Sequence, residues 1–456
     1  MIPAIKSCSW VSAILLLALA FPLQVLSNSP SIALLAYFPI LLIYILPARH
    51  RASPQERSDL ARLKGIDIAV ILYFVLIFGH IFVAVLMNEI SGLEWIRQTI
   101  LFLFPATVYI YVSRFAREKE FKSICFGIVV AALIVGLYFV YDSFAKLVLG
   151  KLGDYQVRAN EYSMVRMGVG ADAINLARVS VGNRSMGLLE SHTASGAWIG
   201  FGAFASFVLL SASSETLRWT VGLAWLLLLV AGINFTSILG FLITVVIVYA
   251  WRGAGMNSLL KIRRSAFRRA ATFSCLALAA ALAAFFYSTA FSDRISGLIT
   301  LQLSKIFTTN IDSANSDASW VSWTLLAVKS YAQSVARHPF VLLFGTGPVV
   351  SDIFVRGGDV GFLETMALLG IPFVGLVVLG LVKMSRAVLK QLRLEDIAQS
   401  GFAPRGLLEF SLATILYVAI FEAHYSVWAY KSVLPILFIA LGLVRRYGRA
   451  RQSATP

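Results

Sequence analysis

Residues 66–87 read IDIAVILYFVLIFGHIFVAVLM, and only Asp67 among them carries a formal charge. A helix rises about 1.5 Å per residue, so an apolar stretch of this length crosses the roughly 30 Å hydrocarbon core of a bilayer. Runs of the same character lie outward from it, near 10–27, 31–47, 95–113, 123–149, 187–210, 218–233, 235–251, 270–291, 360–384, 406–422 and 432–444. The expected fold is an all-α integral membrane protein with about 12 transmembrane helices. It forms a single polytopic domain over residues 1–456. Pro22, Pro105, Pro372 and Pro435 fall inside these runs. Each kinks its helix, and neighbouring helices supply partners for the carbonyls it frees.

Composition agrees. The 456 residues are 59% hydrophobic and 14% charged, with a mean hydropathy of +0.80. That balance excludes an ordinary soluble chain of this length. The net charge of +16 does not point to nucleic acid, because the basic residues recur in short segments between apolar runs. Placing the N-terminus inside assigns 48–65, 114–122, 211–217, 252–269, 385–405 and 445–456 to the cytoplasm, and with them Arg49, Arg51, Arg117, Arg263, Arg264, Arg268, Arg269, Arg393, Arg445 and Arg449. The short turns on the other side carry almost no Lys or Arg, as the positive-inside rule requires. Ala18-Leu19-Ala20 near the end of the first run would suit a cleaved signal peptide, but the alternation works with that run retained. Cys8, Cys125 and Cys275 suggest neither a disulfide framework nor a metal site.

Two outer segments, 150–186 and 292–359, are long for a helix-and-turn protein, and each is expected to contain short helices. The second includes DASWVSWTLLAVKSYAQSVARHPF, with Trp320, Trp323, Leu326 and Val335 on an amphipathic pattern. Such a helix lies at the membrane surface or forms a lid over a site.

Outward arginines do not help orientation, so they need another reason. Arg158, Arg166, Arg178 and Arg184 lie in the first segment, and Arg294, Arg337 and Arg356 in the second. A guanidinium grips phosphate or carboxylate oxygens through paired donors, the alternative being a solvated or headgroup-facing loop residue. Arg184 sits just before the sixth run, where its side chain can reach the mouth of the bundle. Glu190, Asp352, Asp359 and Glu364 share the outer side. Asp359 and Glu364 begin the tenth run; they either complement a helix N-terminus or act as a base or sugar-hydroxyl acceptor.

Arg337-His338-Pro339, Gly345-Thr346-Gly347-Pro348 and Gly370-Ile371-Pro372 form a glycine- and proline-marked series. Pro339 stops the preceding helix. The glycines permit a bend close to a ligand, or a simple turn. His192, His338 and His424 are outward but lack metal spacing, and His80 reads as a helix-packing residue. No Walker, Rossmann or zincin motif is present. The driving force is therefore expected from an activated substrate or a gradient rather than from cytoplasmic ATP, with no cofactor.

Three stretches carry a likeness to a known family. One is Asn183-Arg184-Ser185-Met186-Gly187-Leu188-Leu189-Glu190-Ser191-His192. Another is His338-Pro339, Gly345-Thr346-Gly347, Asp359 to Leu363 and Gly370-Ile371 in that order. The third is Asn234-Phe235-Thr236-Ser237 at the start of the eighth run. Together with the span pattern they resemble the O-antigen ligase/polymerase superfamily, membrane enzymes of bacterial surface-polysaccharide assembly. The resemblance implies a glycosyltransferase of the inner membrane with both termini cytoplasmic, acting at the periplasmic face on undecaprenyl-diphosphate-linked oligosaccharide. It implies membrane lipid, a flippase and a chain-length regulator as partners, and no nucleic acid. It also implies catalytic roles among Asp359, Glu364 and His338. Diphosphate or glycan contacts fall to Arg184 and Glu190, with Arg294, Arg337 and Arg356 competing for the second arginine. Two departures matter. Ile238 and Leu239 follow Ser237 where an arginine is common, and Asp359 stands where ligases carry histidine. The second departure favours a polymerase over a ligase.

Overall fold

The structure, a computed structural model, describes residues 2–29, 34–35, 38–45, 65–86, 92–147, 153–159, 187–189, 191–210, 215–232, 235–252, 320–347, 361–395, 403–423, 426–429 and 432–447. Among these residues it is helical, with no strand. The first eight helices are α1 (Ile2–Ser27), α2 (Phe38–Ile45), α3 (Gly65–Leu86), α4 (Gly92–Arg114), α5 (Glu118–Leu147), α6 (His192–Leu209), α7 (Glu215–Ala231) and α8 (Phe235–Arg252). Then come α9 (Trp320–Arg337), α10 (Phe340–Phe344), α11 (Gly361–Leu369), α12 (Ile371–Glu395) and α13 (Ala403–Glu422). A 3-10 turn (Val427–Ala429) and α14 (Leu434–Tyr447) follow.

Among the described residues, three helices contain an unbroken stretch long and apolar enough to cross a membrane: Lys6–Ser27 in α1, Gly65–Leu86 as α3 and Lys119–Ala145 in α5. The α11–α12 pair makes a fourth if its two parts count as one span. The α3 helix shows the logic. Val70, Tyr73, Ile77, Ile81 and Ala84 recur at helical spacing and are buried, whereas Ile71, Val75, Phe78, Phe82 and Leu86 are exposed. A helix that is apolar all round and half uncovered presents that surface to lipid. The protein is membrane-embedded.

At the centre, α6 is buried from Thr193 through Ser206 and packs on α5, α7, α8 and α13. Ser191 starts it, its hydroxyl accepting from the Ala194 N–H at 3.0 Å. Small residues admit the neighbours. A Cβ at Gly200 would strike the Tyr417 ring of α13, and one at Gly202 would strike Ala132 and Trp225. The Tyr417 hydroxyl lies 3.1 Å from the Gly196 carbonyl and 3.4 Å from that of Ser237, tying α6, α8 and α13 together.

Two polar clusters gather helix ends around the last turns of α4. In the first, Asp67 accepts from the Tyr109 hydroxyl at 2.7 Å and from Arg445 Nε at 2.9 Å, with Arg114 at 4.0 Å. In the second, Glu120 accepts from Trp10 Nε1 at 3.1 Å and from the Tyr111 hydroxyl at 2.8 Å, and Lys6 Nζ donates to Tyr111 at 3.2 Å. The starts of α1, α3 and α5 and the ends of α4 and α14 therefore share one side of the bundle.

The expected run 360–384 is not one straight helix. It breaks at Gly370, where α11 and α12 meet at a bend of 119°. Gly370 adopts φ +80°, and Pro372 has no N–H to continue the ladder. The sixth run also starts later than expected: α6 begins at His192, because Gly187 turns at φ +71° against Phe139 and Ser195. The expected run 270–291 lies outside the described residues.

Candidate functional site

The amphipathic α9 ends at Arg337, two residues before Pro339, as the proline requires. Tyr331 and Val341 close a small core with Leu363 and Ala367, so α9, α10 and α11 pack as a unit. Burial pushes the Tyr331 phenol above its ordinary pKa, so it stays neutral. Phe340, Leu342, Leu343, Phe344 and Phe362 remain exposed, giving this unit an apolar outer surface.

Three left-handed glycines lock the unit to the helix break. Gly345 and Gly347 have φ +71°, and Gly370 has φ +80°. Thr346 N–H donates to the Ala367 carbonyl at 2.7 Å and Gly347 N–H to the Leu368 carbonyl at 3.0 Å. These are carbonyls at the end of α11, so the 345–347 turn replaces the helical bonds lost at the break. A Cβ at Gly345 would meet the Leu368 carbonyl, one at Gly370 the Leu343 carbonyl, and one at Gly347 the side chain of His80. The sequence allowed a simple turn here; the structure shows a backbone-to-backbone interlock, and His80 is the packing residue expected of it.

One turn ahead of the break, α11 meets the last residue of α13. Thr365 Oγ1 donates to the Glu422 carboxylate. Val427 N–H donates to its other oxygen at 3.0 Å. The Thr365 and Ser426 hydroxyl oxygens are 2.6 Å apart. Glu364, in the first turn of α11, lies within electrostatic reach of Glu422. The Glu422 carboxylate and two hydroxyls thus converge where α11, α13 and the 3-10 turn meet, with Glu364 at the position before Thr365. Such a group can accept or relay a proton, or bind sugar hydroxyls.

Of the residues named from sequence, Glu364 adjoins this cluster. His338 is half-buried between α9 and α10, its ring 5.8 Å from that of Phe340, and Arg337 is exposed at the end of α9. Among the described residues neither is bonded to the cluster. Arg184, Glu190, Arg294, Arg356 and Asp359 lie outside the described residues, as does His424. Thr365, Glu422 and Ser426 were missed. Their signal was a glutamate ending the apolar stretch ILYVAIFE, since ionisable groups in a span are costly and most often functional.

A second polar group holds the start of the first outer segment. The Gln156 amide, oriented to satisfy both groups, donates to the Asp142 oxygens at 2.7 and 3.1 Å. The Tyr155 hydroxyl donates to the Leu188 carbonyl at 2.7 Å. Gly187 and Leu188, three and four residues beyond Arg184, are thereby docked on the ends of α5 and α6. Among the described residues no group of His, Cys, Asp and Glu is arranged to hold a metal. The chain matches no protein-family model and no curated protein.

Proposed function

We propose that the protein is a polysaccharide polymerase of the bacterial inner membrane. In this reading it has about 12 spans and both termini in the cytoplasm. At the periplasmic face it transfers a glycan chain from an undecaprenyl-diphosphate carrier to a lipid-linked oligosaccharide acceptor. The observation that carries the reading is the Glu422 carboxylate at the end of α13, held by Thr365 next to Glu364 in α11, beside a unit whose other surface is apolar. A site that is polar within and lipid-facing without suits a donor with a lipid tail and a sugar head.

Arg184 neutralises charge on the departing diphosphate, with Arg294, Arg337 or Arg356 as its second partner. Glu190 binds the glycan. Asp359, Glu364 or His338 takes the proton of the attacking hydroxyl. The glycosyl-phosphate bond supplies the driving force, so no nucleotide motif is required. A flippase and a chain-length regulator are the expected pathway partners. Ligase-type transfer to a lipid or protein acceptor uses the same chemistry, and Asp359 in the place of the ligase histidine favours polymerisation.

The test is the length distribution of surface or secreted glycan on a gel. A deletion strain should lose long polymer and accumulate single lipid-linked repeats, and unchanged length would sink the reading. The α11–α12 break favours a second reading, a secondary transporter, because discontinuous helices often line substrate sites. A transporter mutant would change solute uptake or efflux with glycan length intact.

A further inference from the structure

We infer that Glu422 is the group that accepts the proton of the attacking sugar hydroxyl, aimed by Thr365, Ser426 and the Val427 amide. The inference rests on the glycosyltransferase reading. It differs from the choice of Asp359, Glu364 or His338, because the geometry singles out a residue at the far end of α13.

Glu422 is held from more than one direction. One oxygen takes the Thr365 hydroxyl and the other takes the Val427 N–H at 3.0 Å. Ser426, 2.6 Å from Thr365, donates to the Thr365 oxygen and so fixes the direction of its hydroxyl. A carboxylate offers about four acceptor positions, so the Thr365 and Val427 donors leave room for a substrate hydroxyl. Among the described residues no cation pairs with Glu422. The residue is half-buried rather than sealed, so the remaining position can be reached. Both ends of its mounting are fixed: α11 by the glycine interlock and the 3-10 turn by the Val427 bond. A base held this way needs little reorganisation when the proton moves.

The step balances. The acceptor hydroxyl oxygen forms a bond to C1 of the donor sugar. The bond from C1 to the diphosphate oxygen breaks, and its electron pair leaves with the diphosphate. The hydroxyl proton passes to Glu422, which returns it to water after the product departs.

A purely structural Glu422 would only latch α11 to α13. Glu422→Gln separates the two roles. Its amide oxygen can take the Val427 N–H while its NH2 donates to Thr365, since a hydroxyl both donates and accepts. The latch survives and the base is lost. The full-length protein is compared as wild type, Glu422→Gln and Glu422→Asp in the deletion strain. Its membranes are then assayed across pH with the lipid-linked repeat extracted from that strain. Glu422→Gln should cut polymerisation about 10²-fold or more, the usual range for a lost acid–base group, at wild-type abundance and thermal midpoint. The acidic limb of the wild-type pH profile should vanish in Glu422→Gln and move in Glu422→Asp. Near-wild-type polymerisation by Glu422→Gln would overturn the inference. Should that variant be missing from the membrane, an unmoved acidic limb in Glu422→Asp would overturn it instead. Normal glycan in the deletion strain would sink the glycosyltransferase reading itself. Single repeats in the deletion strain with an active Glu422→Gln would sink only the role of Glu422.

Discussion

Asp67 sits in the first turn of α3, with its side chain 4% exposed and that of Arg445 2% exposed. Asp67→Asn keeps the size but removes the charge that balances a buried guanidinium. Breaking one partner of such a pair costs about 3–5 kcal/mol. A lower thermal midpoint in detergent and reduced membrane abundance are expected; a midpoint within a degree of wild type would show that Arg445 finds another anion. Arg184 makes a different prediction, about rate. If its fork holds the diphosphate, Arg184→Ala removes a transition-state contact worth about 3–4 kcal/mol, or roughly 10²–10³ in rate. Long polymer should disappear at normal protein level. Arg184→Lys should rescue only in part, because an ammonium lacks two parallel donors. The exposed Arg158 is the control, and Arg158→Ala should do much less. Full-length glycan from Arg184→Ala would remove Arg184 from the site.

The α11–α12 break is the element on which the candidate site is mounted, and its glycines separate strain from propensity. Gly345→Ala and Gly370→Ala each force a left-handed φ and press a methyl onto a backbone carbonyl. Each should destabilise by about 1–3 kcal/mol. Gly375→Ala, in the interior of α12 with nothing within 4 Å of the added methyl, should instead gain about 0.5–1 kcal/mol. Thermal midpoints of the three variants check the contrast, and equal shifts would refute the interlock. Gly370-Ile371-Pro372 was visible in the sequence as a turn, yet it sits inside an apolar run that averages to one span. Hydropathy sums along the chain and is blind to the donors that make a break tolerable. Those donors, Thr346 and Gly347, lie about twenty residues upstream.

At the scale of the whole molecule, helix positions were the most legible feature among the described residues, because lipid imposes apolarity on the long stretches of α1, α3 and α5. The site was less so. Glu364 was read from its place at a helix start, but Glu422 meets Thr365 across 57 residues, a proximity no local pattern encodes. Sidedness joins the two scales. Asp67 binds Arg114 and Arg445, and Lys6 joins Glu120 through Tyr111, so the chain's first helix starts on the side where its last helix ends. In the proposed topology of about twelve spans, an even number of crossings brings them to one side. In that proposal the basic segments put this side in the cytoplasm, since Lys and Arg resist translocation. Reporters fused after residues 55, 260, 395 and 452 should therefore report cytoplasm, and those after 170 and 315 periplasm. The fusion at 260 is the most demanding, because Arg263, Arg264, Arg268 and Arg269 make that segment among the most basic in the chain. A periplasmic signal there would reverse the alternation for every later helix. It would also move Glu422 to the cytoplasmic face, where no diphosphate-linked glycan is polymerised in the proposed mechanism.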